Sequence, residues 1–181
     1  MSLPKLELSF DPIITTPYVT VHPVTGWSKY KEWPASRWEE LVSKIQAESD
    51  VSVRFIQIGL DSDIKLAGCD HSYMGRPLID SINLIANSSL HMGGDSFSNH
   101  VTHMTGTPAL ILWGSTQVSA SGYEENLNIS LGITCQPCFK ENPSISSMSR
   151  GPCTNLINNV HACMAGIEVE AVYSALKAKF S

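Results

Sequence analysis

Residues 89–100 read SLHMGGDSFSNH, and their pattern is the most informative one in the chain. A short apolar segment ends in two glycines, and Ser96 then stands where a helix ending at Gly106 would begin. The pattern predicts a buried strand over 89–92 and a helix from Ser96 to Thr105. Glycines allow the tight turn between the two, and the unpaired N–H groups at a helix start carry a partial positive charge. The stretch therefore predicts an anion-binding site where the strand passes into the helix.

The same alternation of apolar strands and amphipathic helices extends to both sides of this stretch. Continuous apolar strands that alternate with helices indicate a parallel sheet covered on both faces, an α/β Rossmann-like fold. The other predicted strands are Tyr18–His22, Val51–Ile58 and Ala109–Trp113. The other predicted helices are one that begins at Pro34, then Asp61–Ala67, Leu78–Ala86 and Ile167–Phe180. Ligands of such sheets bind beyond the carboxyl ends of the strands, so the loops there are expected to meet at one edge.

The chain has 181 residues, which corresponds to about one domain. Residues 17–181 are predicted to form it, and residues 1–16 are interpreted as an amino-terminal extension or a linker. Between 115 and 166 the regular patterns weaken into a loop region rich in Ser, Asn, Gly and Cys. A loop region of that length inside a compact domain indicates a staple or a functional role.

The composition excludes several classes of protein. Lys and Arg total 12 against 17 Asp and Glu, and the basic residues are scattered, which argues against nucleic-acid binding. No apolar run approaches the roughly 20 residues of a membrane-spanning helix, and the start of the chain has no apolar export signal. We therefore expect a cytoplasmic protein, with peripheral contact with the inner membrane left open. Charged residues make up only 16%, so a second domain or subunit is expected to cover part of the surface.

Polar side chains suited to a phosphorylated ligand follow two of the predicted strands. Ser96 and His100 are candidate donors to phosphate, and Asp95 is a candidate acceptor for sugar hydroxyls. After the first strand, Lys29 and Lys31 are candidates for neutralising a diphosphate. The alternative is an ordinary capped helix beside a solvated loop. The patterns GxGxxG and GxxxxGKS/T do not occur, which argues against a dehydrogenase and a P-loop hydrolase.

Two groups of side chains are candidate metal ligands. Asp61 and Asp63 have a spacing that can hold a divalent cation, but the acidic start of a helix is the favoured interpretation. Cys135, Cys138, Cys153 and Cys163 are candidate ligands of a tetrahedral zinc ion that would staple the loop region, although the second pair is spaced more widely than in the usual zinc motifs. Free buried thiols or an oxidised pair remain the alternatives.

Taken together, these loops resemble the carboxyl-terminal domain of the heptosyltransferase-like glycosyltransferases of family 9, the group of the ADP-heptose:lipopolysaccharide heptosyltransferases. The order and spacing of short motifs across roughly residues 17–176 carry the resemblance. The motifs are His22-Pro23 with Thr25, Lys31-Glu32-Trp33-Pro34, Asp95-Ser96 with His100, and Gly106-Thr107-Pro108 followed by Trp113-Gly114-Ser115-Thr116. The segment that starts at Cys135 also looks like the tail of this group.

The resemblance implies a GT-B architecture, in which two Rossmann-like domains face a cleft and the second holds the nucleotide-sugar donor. The chain looks like that second domain. Contacts with the diphosphate, the nucleoside or the donor sugar are implied for Thr25, Lys31 with Lys29 as its rival, Asp61, Asp95, Ser96 and His100. The family requires no cofactor, and its general base for the acceptor hydroxyl lies in the amino-terminal domain.

One position departs from the pattern of this family. Phe97 follows the Asp95-Ser96 pair where these enzymes have glycine. A side chain there would crowd the approach of a phosphate group, so we expect either a shifted helix start or a different donor.

The predicted function is therefore donor binding within a glycosyltransferase. The whole enzyme would transfer a heptose-like sugar from a nucleoside diphosphate, with ADP favoured, to lipopolysaccharide or another surface glycan or glycolipid. The chain alone is expected to be inactive without an amino-terminal domain or partner subunit. Two alternatives stay open: a non-catalytic module that binds a sugar nucleotide or glycan, and a zinc-stapled interaction domain without affinity for nucleotides.

Overall fold

The computed structural model describes residues 10–26, 28–48, 53–138 and 152–180. Five strands form one parallel sheet in the order β2-β1-β3-β4-β5. They are β1 Tyr18–His22, β2 Arg54–Gln57, β3 Leu90–Gly94, β4 Ala109–Trp113 and β5 Leu127–Ser130. A separate antiparallel hairpin consists of β6 Leu156–Ile157 and β7 Val160–His161. The sheet is that of the predicted α/β Rossmann-like fold.

Helices cover both faces of the sheet. They are α1 Ala35–Glu48, α2 Leu78–Ala86, α3 Phe97–Thr105, α4 Val118–Ser121, α5 Ala162–Ala165 and α6 Val169–Phe180, with a 3-10 turn at Lys29–Lys31. α1 packs against α6, and α2 packs against α3. Within the described ranges, no helix has the length and apolar character needed to cross a membrane.

The two faces have separate hydrophobic cores, because successive side chains of a strand point to opposite sides of a sheet. Val19 of β1 is buried in the core that contains Trp38 of α1 and Val172 of α6. Its neighbour Tyr18 belongs to the core of the other face, together with Leu84 of α2. The alternation within β1 thus fixes which helices lie on which side.

The order of the strands reverses between β1 and β3. After β1 the chain moves outward to β2 and then returns to β3 on the other side of β1. The two strands end side by side, with His22 paired in register with Gly93. Connections leave these two ends in opposite directions, and the resulting crevice is where ligands of such sheets bind.

Most of the predicted elements are confirmed. The strand Ala109–Trp113 and the helix Leu78–Ala86 have the predicted bounds. α3 starts directly after Ser96 and ends at Gly106, which has the left-handed conformation typical of a glycine that follows a helix. Parts of the predicted extension, second strand and loop region fall on residues 1–9, 51–52 and 139–151, which lie outside the described residues.

The predicted helix Asp61–Ala67 is wrong. The segment is a series of turns held by the buried side chain of Gln57. The Gln57 amide donates to the carbonyl of Ile64 at 2.6 Å and accepts from the N–H of Leu66 at 2.8 Å. In a helix, each of these two backbone groups would instead bond to a residue four positions away.

The loop region 115–166 contains a strand that the sequence pattern did not predict. The four residues of β5 read Leu-Asn-Ile-Ser, too short a run to stand out from its polar surroundings. The strand forms because β4 offers it an open edge, where Leu110 pairs with Leu127 and Leu112 with Ile129. β5 thereby adds a fifth strand at the side of the sheet, next to β4.

A buried polar network joins β1 to β3. Thr20 Oγ1 donates to Ser88 Oγ at 3.3 Å and lies 2.9 Å from Nδ1 of His91. Because Thr20 gives its hydrogen to Ser88, the imidazole donates from Nδ1, and Nε2 has no partner among the described residues. Burial lowers the pKa of His91 to about 3, and the nearby His22 acts in the same direction.

We expect His91 to make the folded protein sensitive to acid. Its folded pKa of about 3 lies below the ordinary value of 6.5, so the unfolded chain takes up the proton first as the pH falls. The free energy of unfolding should be greatest above pH 6.5 and fall by about 3 kcal/mol from this residue between pH 6.5 and 4. Urea unfolding measures the free energy of unfolding of the wild type and of His91→Asn at several pH values. It should depend less on pH in the variant, because asparagine does not titrate. Equal slopes would contradict this assignment.

Candidate functional site

A cavity of about 500 Å³ opens at the crevice between the ends of β1 and β3. Five of the residues implied as ligand contacts line it together: Thr25, Lys31, Asp95, Ser96 and His100. The rest of its lining consists of His22, Gly26, Phe97, Thr116 and Ser121. The predicted convergence of loops at one edge of the sheet is therefore confirmed.

Lys31 and Asp95 form an ion pair in the cavity. The Lys31 ammonium donates to Asp95 Oδ2 at 2.8 Å, and the two side chains are only 15% and 7% exposed. The hydroxyl of Thr116 donates to the same oxygen at 2.7 Å, and that of Ser121 approaches Oδ1 at 3.5 Å. An ammonium has three N–H donors, and within the described residues Asp95 is its one hydrogen-bond partner, so two donors remain for a ligand.

Glycines at the strand ends bring the loop that carries Lys31 into place. A β-carbon at Gly94 would lie 3.2 Å from the backbone oxygen of Lys31, and one at Gly114 would lie 2.3 Å from that of Tyr30. The loop can rest on the ends of β3 and β4 only because these positions have no side chain. Within the loop, the Thr25 hydroxyl donates to the carbonyl of Ser28 at 2.8 Å, which closes the turn.

His22 occupies the centre of the edge, although the sequence pattern gave it no binding role. Its Nδ1 lies 3.2 Å from Ser96 Oγ and 3.4 Å from Ser98 Oγ. Burial lowers the pKa of His22 to about 4, with Asp63 opposing the shift, so the imidazole is neutral at pH 7. The signals in the sequence were its place as the last residue of the first strand and its presence in the His22-Pro23 motif.

The start of α3 has no side-chain cap. Ser96 stands at the capping position with an extended backbone, but its hydroxyl makes no capping bond to a backbone N–H of the helix and contacts the side chains of His22 and Ser98 instead. A serine in this position ordinarily accepts from the N–H groups of the first turn. The N–H of Asn99 bonds instead to the carbonyl of Ser96 at 3.1 Å. The N–H groups that precede it in the first turn, with the positive end of the helix dipole, are the ones suited to an anion in the cavity.

Phe97 separates this cavity from a second cleft. Its ring packs edge-on against His22 at a centroid distance of 5.1 Å, and the side chain is 38% exposed. The second cleft, of about 300 Å³, is mainly apolar, and its lining includes Gly26, Leu60 and Leu78. The helix start is not shifted, because α3 begins directly after Ser96 as predicted. The Phe97 ring is accommodated by packing against His22.

His100 belongs to a group of aromatic side chains on α3 and the loop that follows α4. Its Nδ1 lies 2.8 Å from the hydroxyl of Tyr123, and the two rings meet at right angles. The Tyr123 ring also stacks on His103 at 3.8 Å, and His103 pairs with Glu125. The group holds His100 at the wall of the cavity.

Two predicted contacts lie elsewhere. Lys29 lines a separate pocket of about 270 Å³ together with Glu32 and His161, so the structure separates it from its rival Lys31. Asp61 is 80% exposed and pairs with Lys65 at 3.3 Å. Neither side chain lines the cavity that holds the Lys31 ion pair.

The four candidate zinc ligands lie in one neighbourhood as free thiols. Burial and the charges of the other three raise the pKa of the Cys163 thiol to about 11. Cys135 is exposed, and its Sγ lies 3.6 Å from the amide nitrogen of Asn155. Across the described residues, no three His, Cys, Asp or Glu side chains are grouped closely enough to hold a metal ion.

No protein-family model and no curated protein matches the sequence, but solved structures match the fold. The iron-containing dodecameric glycosyltransferase TibC of enterotoxigenic E. coli H10407 has a TM-score of 0.78 at 18% identity, and the match covers 97% of this chain and 49% of TibC. E. coli ADP-heptose lipopolysaccharide heptosyltransferase II has a TM-score of 0.65 at 18% identity, covering 90% of this chain and 46% of that one. The fold is that of one half of a GT-B glycosyltransferase.

Further matches extend this fold group. E. coli heptosyltransferase WaaC, solved with ADP, has a TM-score of 0.61 at 14% identity over 93% of this chain and 46% of its own. TibC has also been solved in complex with ADP-D-β-D-heptose, with a TM-score of 0.76 at 18% identity over 97% of this chain and 48% of its own. The chain thus spans about half the length of the glycosyltransferases that it matches.

We expect Gly114→Ala to destabilise the fold and displace Lys31. The new β-carbon would meet the backbone oxygen of Tyr30, so the loop would have to move at a cost of about 1–3 kcal/mol. Urea unfolding measures the loss. Gly26→Ala is the matched control, because a β-carbon at Gly26 has open space around it. Equal stability losses in the two variants would contradict the close packing of the loop on β4.

Proposed function

We propose that this chain is the donor-binding domain of a glycosyltransferase that takes a heptose-like sugar from a nucleoside diphosphate, with ADP favoured, to lipopolysaccharide or another surface glycan. The observation that carries the proposal is the cavity in which Lys31, Ser96, His100 and the uncapped start of α3 converge. The relatives solved with ADP or with ADP-D-β-D-heptose support a nucleotide sugar as the ligand.

The diphosphate would bind between Lys31 and the first turn of α3. Two ammonium hydrogens and the free N–H groups of the helix supply donors, and both carry positive charge toward the same space. Asp95 is almost buried and its Oδ2 is occupied by two donors, so the ion pair keeps its negative charge from opposing the phosphates. Its less occupied Oδ1 is the candidate acceptor for a hydroxyl of the donor sugar.

The second cleft would take the nucleoside. It adjoins the cavity through His22, Gly26 and Phe97, and its apolar lining suits a flat ring. Asp61 lies outside it, whereas Asp63 belongs to its lining. We therefore propose Asp63 in place of Asp61 as the carboxylate near the ribose.

The chemistry follows from the charge of the leaving group. When the bond between the sugar and the phosphate breaks, negative charge builds up on the nucleoside diphosphate. Lys31 and the start of α3 would stabilise that charge without a metal ion. The acceptor hydroxyl also needs a general base, which we propose lies in the other half of the enzyme. The chain by itself would therefore bind the nucleotide but transfer no sugar at a useful rate.

Calorimetric titration with ADP, UDP and GDP tests donor binding. We expect ADP to bind, Lys31→Ala to weaken binding by about 10-fold or more through loss of a charged hydrogen bond, and Lys29→Ala to leave it unchanged. Lys31→Ala also leaves Asp95 unpaired, so the double variant Lys31→Met, Asp95→Asn is needed. If Lys31 meets the diphosphate, the double variant stays weak. Recovery of affinity in it, or no heat with any nucleotide in the wild type, would contradict the proposed site.

We further propose that a structural metal ion, zinc or iron, draws the four cysteines together on binding, since within the described residues their thiols are not grouped closely enough to hold one. The relative TibC is an iron-containing protein, and tetrahedral thiolate sites take both metals. Burial first, and then the charges of the other three thiols, raise the pKa of Cys163, and a divalent cation would relieve the repulsion among the thiolates. Its role would be to staple the segment from Cys135 to Cys163.

Metal analysis of the purified chain tests this site. We expect about one equivalent of zinc or iron, lost in Cys135→Ser, because tetrahedral sites need all four ligands. Cys69→Ser is the matched control, since Cys69 is the fifth free cysteine and packs against the main core. Metal-free protein that unfolds at the same urea concentration as untreated protein would contradict a stapling role.

A further inference from the structure

Tyr123 contacts the His100 ring from outside the cavity. It lies between the end of α4 and the start of β5, and its hydroxyl is 2.8 Å from Nδ1 of His100. His100 lines the cavity, whereas Tyr123 does not. The bond to Tyr123 therefore occupies Nδ1, and Nε2 is the ring nitrogen that remains for a group in the cavity.

The Tyr123 ring is held from several sides. It stacks on His103 at 3.8 Å and at an angle of 6°, and it meets the His100 ring at 89°. The backbone oxygen of Tyr123 accepts from Asn128 Nδ2 at 2.7 Å, and Asn128 in turn accepts from the buried Trp113 indole at 2.9 Å. The hydroxyl is thus fixed relative to the sheet.

The position of the hydrogen follows from the chemistry of the two groups. A neutral imidazole has one donor and one acceptor nitrogen, and a phenol can donate or accept. A phenol O–H is a stronger donor than an imidazole N–H, and an unprotonated imidazole nitrogen is a stronger acceptor than a phenol oxygen, so the favoured arrangement has the phenol donating to Nδ1. Burial and Glu125 raise the pKa of Tyr123, so it stays protonated at pH 7. With the phenol donating to Nδ1, the hydrogen of His100 is on Nε2.

We propose that Tyr123 is a positioning residue that fixes the orientation and tautomer of His100, so that Nε2–H points a hydrogen-bond donor at a phosphate group in the cavity. The inference rests on the proposed function for its ligand. Tyr123 itself does not touch the nucleotide. Its effect on binding passes through His100 alone.

Two variants and their combination test this coupling. We expect Tyr123→Phe, which keeps the stacked ring, to weaken ADP binding about 3- to 10-fold. His100→Ala should weaken it at least as much, and Tyr123→Phe should add nothing in the His100→Ala background. Tyr73→Phe, which removes a phenol near α2, is the control and should bind like the wild type. Wild-type affinity in Tyr123→Phe, or independent losses in the double variant, would overturn the proposal.

Nitrogen-15 NMR of the histidine rings separates this inference from the proposed function. In the ligand-free wild type at pH 7.5, His100 should show a protonated Nε2 and a hydrogen-bonded, unprotonated Nδ1. In Tyr123→Phe the Nδ1 signal should move to the position of an unbonded nitrogen. An unchanged His100 spectrum, or a protonated Nδ1 in the wild type, would overturn the role of Tyr123 even if no nucleotide bound. Absence of ADP binding with the expected spectra would instead count against the proposed function.

Discussion

The cavity at the carboxyl ends of β1 and β3 depends on the ion pair between Lys31 and Asp95. The pair joins the loop after β1 to the turn after β3, two segments separated by 64 positions in the chain. Both partners are nearly buried, so neither charge would be tolerated there without the other. The pair also explains the glycines at the ends of β3 and β4, because the lysine loop must lie directly on the strand ends to reach Asp95.

The other polar groups of the edge are arranged around this pair by hydrogen bonds that leave donors facing the cavity. Neutral His22 engages the hydroxyl of Ser96, which would otherwise cap α3. Tyr123 engages the outer nitrogen of His100. In both places a neighbouring side chain occupies a polar group at the cavity, and in the proposed site a hydrogen-bond donor is left for the ligand as a result.

The segment beyond β4 supports the site although its sequence looks like loop. Asn99 of α3 donates to the backbone of Ser121 at 2.8 Å, and buried Asn126 donates back to Asn99. These amide bonds link α3 to the connection between α4 and β5. They place Ser121 and Thr116 beside Asp95, where their hydroxyls complete its hydrogen bonds.

The fold was largely predictable because its signals are local. Neighbouring residues alone indicate the strand Ala109–Trp113, the helix Leu78–Ala86 and the end of α3 at its glycine. Elements decided by distant partners were not predictable. Gln57 overrode the helical pattern of Asp61–Ala67, and pairing with the open edge of β4 made a strand of the short segment Leu127–Ser130.

The class of sheet, the edge where the loops meet and most of the side chains that line the cavity followed from the sequence alone. The folded structure was needed to place Lys31 in the cavity and Lys29 in a separate pocket. It also placed Asp61 outside the cavity, His22 in its lining and Tyr123 against His100. The reason is physical. Chain order fixes which strand a side chain follows, but its direction depends on the charge, hydroxyl or ring that packing brings opposite it, and for Lys31 that partner is Asp95.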